Sequence, residues 1–175
     1  MRAFLPSSKV VKAPPYSELC SLETDRRHWA MKSKLLATTV GQRTFAVVFD
    51  TGDEAMAGLQ TFAREQQLAG SHFTAIGGCR AVTLGYFEWK TKQYRPIPVD
   101  EQVEVLSLVG DVSLAPDGEP RVHAHIVIGK ADGTAHGGHL LRATVRPTLE
   151  VILTESPVHL QRQLDPDAGI PLIRL

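Results

Sequence analysis

Four of the seven histidines of this chain, His123, His125, His136 and His139, fall within the run RVHAHIVIGKADGTAHGGHL, residues 121–140. Imidazole nitrogen is a good ligand for zinc and neighbouring transition metals. On an extended strand, His-x-His sets both rings on one face with Cα atoms about 7 Å apart. From there, two ring nitrogens can converge on a single ion at the ~2.0–2.1 Å that zinc prefers. The alternating Val122, Ala124, Ile126 and Ile128 make the opposite face apolar, so the segment predicts a strand with a core side and a histidine side. A third ligand must come from a neighbouring strand or turn, and His139 is the best candidate. The turn-prone Lys130-Ala131-Asp132-Gly133 would fold the chain back. Gly137-Gly138 would then let the backbone approach closely or bend sharply before it. Three histidines and an open fourth position form the pattern of catalytic or ligand-binding zinc, in contrast to closed structural sites. The competing reading of the His-x-His pair is two solvated or interface side chains. His136 is expected as a polar residue of the intervening loop.

Glu104 is the candidate helper. It alternates with Val103 and Val105 and would share a face with Leu106 and Leu108, so its carboxylate needs a partner if the strand is buried. It could accept a hydrogen bond from a ligand histidine, or act as general base beside a metal-activated water. The plainer alternative is a salt bridge to Arg142 or Arg146. Catalytic residues are otherwise unassigned. Metal-assisted hydrolysis is one reaction such a site could support, and nothing in the sequence establishes a reaction.

Around these residues the chain reads as a patterned domain. KLLATTV and RTFAVVFD are expected strands flanking a turn at Val40-Gly41-Gln42. TGDEAMAGLQTFAREQQLAG is the one clear helix, with Thr51 and Glu54 spaced as a capping box. Ala55, Leu59, Phe62, Ala63 and Gln66 fall on one stripe, and Gly70 is the expected stop. Gly58 within that helix costs about 1 kcal/mol against Ala, which implies that something packs closely against it. Strands follow in SHFTAIGG, AVTLGYFEWK, EQVEVLSLVGDVSL, RVHAHIVIG and TVRPTLEVILTE. Turn signals separate them at Gly77-Gly78, Pro96 with Pro98, Pro116-Asp117-Gly118, Asp132-Gly133 and Gly137-Gly138. The expected class is α+β: a twisted, mainly antiparallel sheet of about seven or eight strands with one main helix. Such a sheet has two faces to cover. The helix covers one, and the face bearing His123 and His125 calls for a partner subunit or a ligand pocket.

Residues 1–30 lack any sustained period and are expected to be a flexible leader; Met31, at the first patterned segment, is an alternative start. The domain is 31–175. With Lys plus Arg at 19 and Asp plus Glu at 19, the formal charge is zero. That balance argues against a protein living on phosphate contacts. Cys20 and Cys79 offer neither a disulfide framework nor a Cys-x-x-Cys half-site. No apolar run is long enough for a membrane helix, and the expected compartment is the cytoplasm. The marks of P-loop, dinucleotide-binding, serine-hydrolase and zincin chemistry do not occur in the sequence.

HAHIVIGKADGTAHGGHL, continuing through TVRPTLEVILTE, resembles the plants and prokaryotes conserved domain in its free-standing prokaryotic form. The helix segment, FTAIGGCRAVTLGYFEW and VEVLSLVGDVSL agree with it, so the likeness spans about residues 32–175. The resemblance implies a curved, mainly antiparallel α+β fold assembled as a homotrimer. It also implies that His123, His125 and His139 match histidines that look like a zinc site in some prokaryotic members; the open fourth position would be available to a small-molecule ligand. In plants the domain follows an AT-hook, whose Arg-Gly-Arg-Pro core enters the minor groove of DNA; these 175 residues contain no such core. The plant partner-binding stretch Gly-Arg-Phe-Glu-Ile-Leu aligns with Glu101 to Leu106, which keeps Glu104 and the apolar end but loses the first three residues. The resemblance therefore carries two functional expectations: a metal-binding module, and a DNA-binding or transcription-associated module acting through the trimer or a partner.

Overall fold

The computed structural model describes residues 31–175; the expected leader, including Cys20, lies outside the described residues. Among the described residues the order is β1 (Lys32–Thr39), β2 (Gln42–Asp50), α1 (Ala55–Glu65), β3 (Gly70–Glu88), β4 (Gln93–Val99), β5 (Val103–Leu114), β6 (Pro120–Gly129), β7 (Ala135–Glu155), β8 (Gln161–Leu164) and β9 (Pro171–Arg174). One helix on a largely antiparallel sheet is the α+β class expected. The β1–β2 turn is made by Val40 and Gly41, both at positive φ, as a two-residue hairpin turn requires.

Three expected turns are strand instead. Gly77-Gly78 lies inside β3, where the pairing with β5 and β7 shifts register. Here the glycines make room: a Cβ on either would overlap the backbone of β7 at Thr148 or Arg146. Gly137-Gly138 likewise sits within β7, and Pro96 and Pro98 lie in β4, which among the described residues pairs with β3 alone. An edge position leaves the missing proline N–H without a ladder partner to lose. Merging two expected strands into β3, and adding β4, β8 and β9, brings the count to nine.

The helix is bounded differently from the capping-box expectation. Glu54 is itself the N-cap, its carboxylate accepting from the Met56 and Ala57 N–H groups, while the Thr51 hydroxyl donates to the Pro147 carbonyl. A third bond, from Ala143 N–H to Glu54 Oε1 at 2.9 Å, ties the helix start to β7. At the other end Gln67 takes the left-handed conformation, φ 52°, with Gln67 N–H bonded to Arg64 O and Leu68 N–H to Ala63 O. This is a Schellman closure with a buried Leu68 as its apolar contact. Gly70 begins β3. Gly58 is buried against Phe49, whose ring an added methyl would overlap, so the close packing inferred from that glycine is found.

The core forms where α1 lies on the sheet. Ala55, Gly58, Leu59, Phe62 and Ala63 are the buried residues of the helix, and Phe62 meets Phe45 edge-on at 5.3 Å. Val122, Ala124, Ile126 and Ile128 of β6 are all buried in the same core. The sheet curls on itself: β3 pairs with β5, β5 with β6, β6 with β7, and β7 with β3, which closes a four-strand circuit. That closure brings β6 and β7 together.

Candidate metal centre

His123 and His125 project from the face of β6 opposite its buried apolar residues. The β6–β7 hairpin turns through Lys130 to Thr134, with Gly133 at φ 82° and Asp132 Oδ1 accepting from both the backbone and hydroxyl of Thr134. The resulting register sets His125 directly opposite His139. Gly138 permits this: a Cβ there would stand 3.0 Å from the Gly85 carbonyl, and one on Gly137 3.2 Å from that of Ile126. The paired glycines thus serve close approach of three strands. His136, expected in a loop, is an exposed residue of β7 opposite Ile128 and stands apart from the cluster.

The three rings form a near-equilateral group, with centroids 5.1, 5.1 and 5.3 Å apart. One ligand atom from each lies within 4.8 Å of the others. Nitrogens sharing a tetrahedral zinc at ~2.0–2.1 Å would lie about 3.3 Å apart, so the group as it stands is at most about 1.5 Å wider between ligand atoms than a common ion requires. Exposure is graded across the group, from exposed His125 through half-buried His123 to His139 at 4%. His139 Nδ1 is buried without a hydrogen-bond partner. A polar atom so placed costs about 1–3 kcal/mol unless something satisfies it, and an ion is a fitting occupant of a histidine cluster. Burial, and then the neighbouring His123, His125 and Arg162, hold the His139 imidazole down to about 3. Burial and His123 lower His125 as well. Neutral rings keep the lone pair that binds a metal. The residues present therefore fit a divalent ion.

Two neighbours escaped the sequence reading. Tyr94 of β4 stacks on the His139 ring, centroids 4.4 Å apart, and covers its outer side. Asp111 of β5 pairs across the ladder with His123, and its Oδ2 lies 3.2 Å from His123 Nδ1. Burial pushes the Asp111 carboxyl upward, but hydrogen bonds from His123 and Arg162 outweigh it and hold the group below the usual carboxylate range. An ionised carboxylate only accepts, so the hydrogen bond is donated by His123 Nδ1. Glu104 takes no part in this. It is exposed and pairs with Gly129, four residues and about 13 Å along β6 from His125. A register shift between Val105 and Ser107 turns Leu108 into the core while Leu106 stays outside with Glu104, so the shared face expected for the three does not exist. No ion pair joins Glu104 to Arg142 or Arg146 among the described residues.

Among the described residues no helix is long and apolar enough to cross a membrane. The Plants and Prokaryotes Conserved (PCC) domain matches residues 37–157. A plant- and prokaryote-conserved protein from Pyrococcus horikoshii superposes with a TM-score of 0.71 at 30% identity, covering 79% of this chain and 98% of that one. A metal-containing protein from Archaeoglobus fulgidus gives 0.70 at 30% identity, covering 81% and 97%. A candidate DNA-binding protein from Bacteroides thetaiotaomicron gives 0.74 at 25% identity, covering 82% and 96%. The bifunctional protein GlmU of Synechococcus sp. (strain JA-3-3Ab) is 36% identical over 121 residues, which is 67% of this chain and 18% of that protein. The chain thus spans less than a fifth of the length of the curated relatives it matches.

Proposed function

This chain belongs to the Plants and Prokaryotes Conserved domain family, and on that premise we propose that it is a metal-binding module holding zinc through His123, His125 and His139. The carrying observation is the grouping of three imidazoles, one ligand atom of each within 4.8 Å of the others, around a His139 whose Nδ1 is buried without a hydrogen-bond partner. The metal-containing relative from Archaeoglobus fulgidus supports the same reading. A bound divalent ion would supply Lewis acidity to whatever ligand takes its open coordination position. The chain's own residues do the rest. Tyr94 shields His139 on one side, Asp111 holds the His123 proton on Nδ1, and exposed His125 leaves a path from solvent for a small ligand.

Metal analysis of protein prepared without chelator tests this. About one zinc per chain is expected, and loss of it in a His123→Ala/His125→Ala double variant. Equal trace metal in both would end the reading. We also take the module as a homotrimer. Ile76, Leu106, Val109, Val127 and Ile152 are 41–63% exposed and lie on the outer face that carries His125, a surface suited to a second copy. Light scattering should give three times the chain mass.

A second reading, a DNA-associated module, draws support from the Bacteroides relative. It predicts retention on duplex DNA that fades steeply with salt. No retention at about 50 mM salt ends it.

A further inference from the structure

The carboxylate that meets His123 is held from a distant part of the chain. Arg162 of β8 donates from Nη2 to both Asp111 oxygens, at 2.8 and 3.1 Å, from Nε to Ser113 Oγ at 2.7 Å, and from Nη1 to the Pro171 carbonyl at 3.3 Å. Ser113 in turn donates to Asp111 Oδ1 at 3.1 Å. The Arg162 side chain is only 11% exposed. All three guanidinium nitrogens are therefore occupied, and the planar group has one orientation. Backbone bonds place it there: Leu114 pairs with Gln161 in the sheet's parallel contact, and Leu114 N–H reaches Leu160 O at 2.8 Å. Residue 162 lies beyond the stretch matched to the family domain, which ends at 157.

We propose that Arg162 is a positioning residue of the metal centre, clamping Asp111 so that its carboxylate accepts the His123 Nδ1–H and leaves Nε2 as the ring's only lone-pair donor. The inference rests on the three-histidine reading for its purpose, but the clamp itself can be read without metal. A carboxylate held by a guanidinium is an acceptor only, and a ring hydrogen-bonded to it is fixed in both tautomer and rotation. Without the clamp, Asp111 can turn toward solvent, and His123 can exchange its proton between the two nitrogens.

The test uses the full chain, stripped of metal and labelled with nitrogen-15 in histidine, at pH 8. Wild type, Arg162→Met and Arg162→Lys are compared by long-range nitrogen–proton NMR and by zinc competition against a colorimetric chelator. The wild type is expected to hold His123 as the Nδ1–H tautomer. Arg162→Met should show a tautomer mixture and bind zinc about tenfold more weakly, the lower end of the effect of removing an outer-shell partner. Arg162→Lys keeps the charge but loses the fork, and should recover part of both. An unchanged tautomer in Arg162→Met overturns the proposal whatever the affinity does, and would leave Arg162 only the docking of β8. Should circular dichroism show Arg162→Met unfolded, Arg162→Gln carries the same comparison, with an intermediate change expected and an unchanged tautomer again overturning it. Failure of the metal reading is separate: zinc binding by wild type no tighter than by His123→Ala ends that reading, while the metal-free tautomer still decides the clamp.

Discussion

Cys79 and His139 are both nearly inaccessible, at 0% and 4% exposure, and lie on the paired strands β3 and β7. Burial acts on both and leaves opposite chemistry. The Cys79 thiol is pushed up to about 12 by burial, with the charge of Glu54 adding to it. It stays protonated, and a protonated thiol is a poor nucleophile and a poor ligand. The His139 imidazole is pushed down to about 3 by the same cause, with the other histidines and Arg162 adding. It stays neutral, and a neutral imidazole is the ligand form. Removing charge thus silences the cysteine in the core and readies the histidine at the cluster. What completes the second region is convergence: His123 and His125 meet His139, whereas Cys79 is packed into the apolar core.

The sharpest break in this comparison is acid. His139 is held below its ordinary value of 6.5. Above that pH, folded and unfolded chains carry the same charge there. As pH falls, the unfolded chain takes a proton that the fold refuses, so stability drops until about pH 3. Denaturant unfolding of metal-free protein should lose about 3 kcal/mol between pH 7.5 and 4.5 through this group. His139→Phe, which keeps a ring against Tyr94, should flatten that dependence; identical pH profiles would contradict a buried neutral imidazole. The same variant should lower zinc affinity by more than about 100-fold, since changes outside the ligand set already cost 10–100-fold. Chelator competition reads this directly.

Smaller effects sharpen the other side. Gly58→Ala should destabilise by about 1–2 kcal/mol, because the overlap with Phe49 exceeds the roughly 1 kcal/mol gained in helix propensity; zinc affinity should stay unchanged. A more stable Gly58→Ala protein would show that the Phe49 ring yields freely. Least of all, alkylation at pH 8 should leave Cys79 unlabelled in native protein and label it fully once unfolded, as peptide mass mapping would show. Rapid native labelling would mean that the core around Cys79 opens.

Much of this was legible in the residues themselves. The two faces of β6 follow from strict alternation, and the helix stripe from its period. The close contact at Gly58 follows from a glycine where none is favoured. The misreadings share a cause. Gly77-Gly78 reads as a turn because glycine tolerates turns, yet it serves strands passing at short range; of the two readings of Gly137-Gly138, close approach or sharp turn, the strand keeps the first. Glu104 was expected near the site because Val103 to Leu108 looked like one regular strand, and a register shift divides that face. Asp111 and Arg162 carried no local signal, since each is an ordinary charged residue within an ordinary stretch.

The sequence alone determined which residues could bind an ion and which face of β6 they occupy, because side-chain direction along a strand depends only on covalent neighbours. Tertiary structure alone decided that His139 lies opposite His125, that Asp111 reaches His123 and that Arg162 reaches Asp111. Those contacts depend on ladder register and on the closure of β3, β5, β6 and β7 into a circuit. Register is set by the summed packing of whole strands far apart in the chain, so no short stretch encodes it.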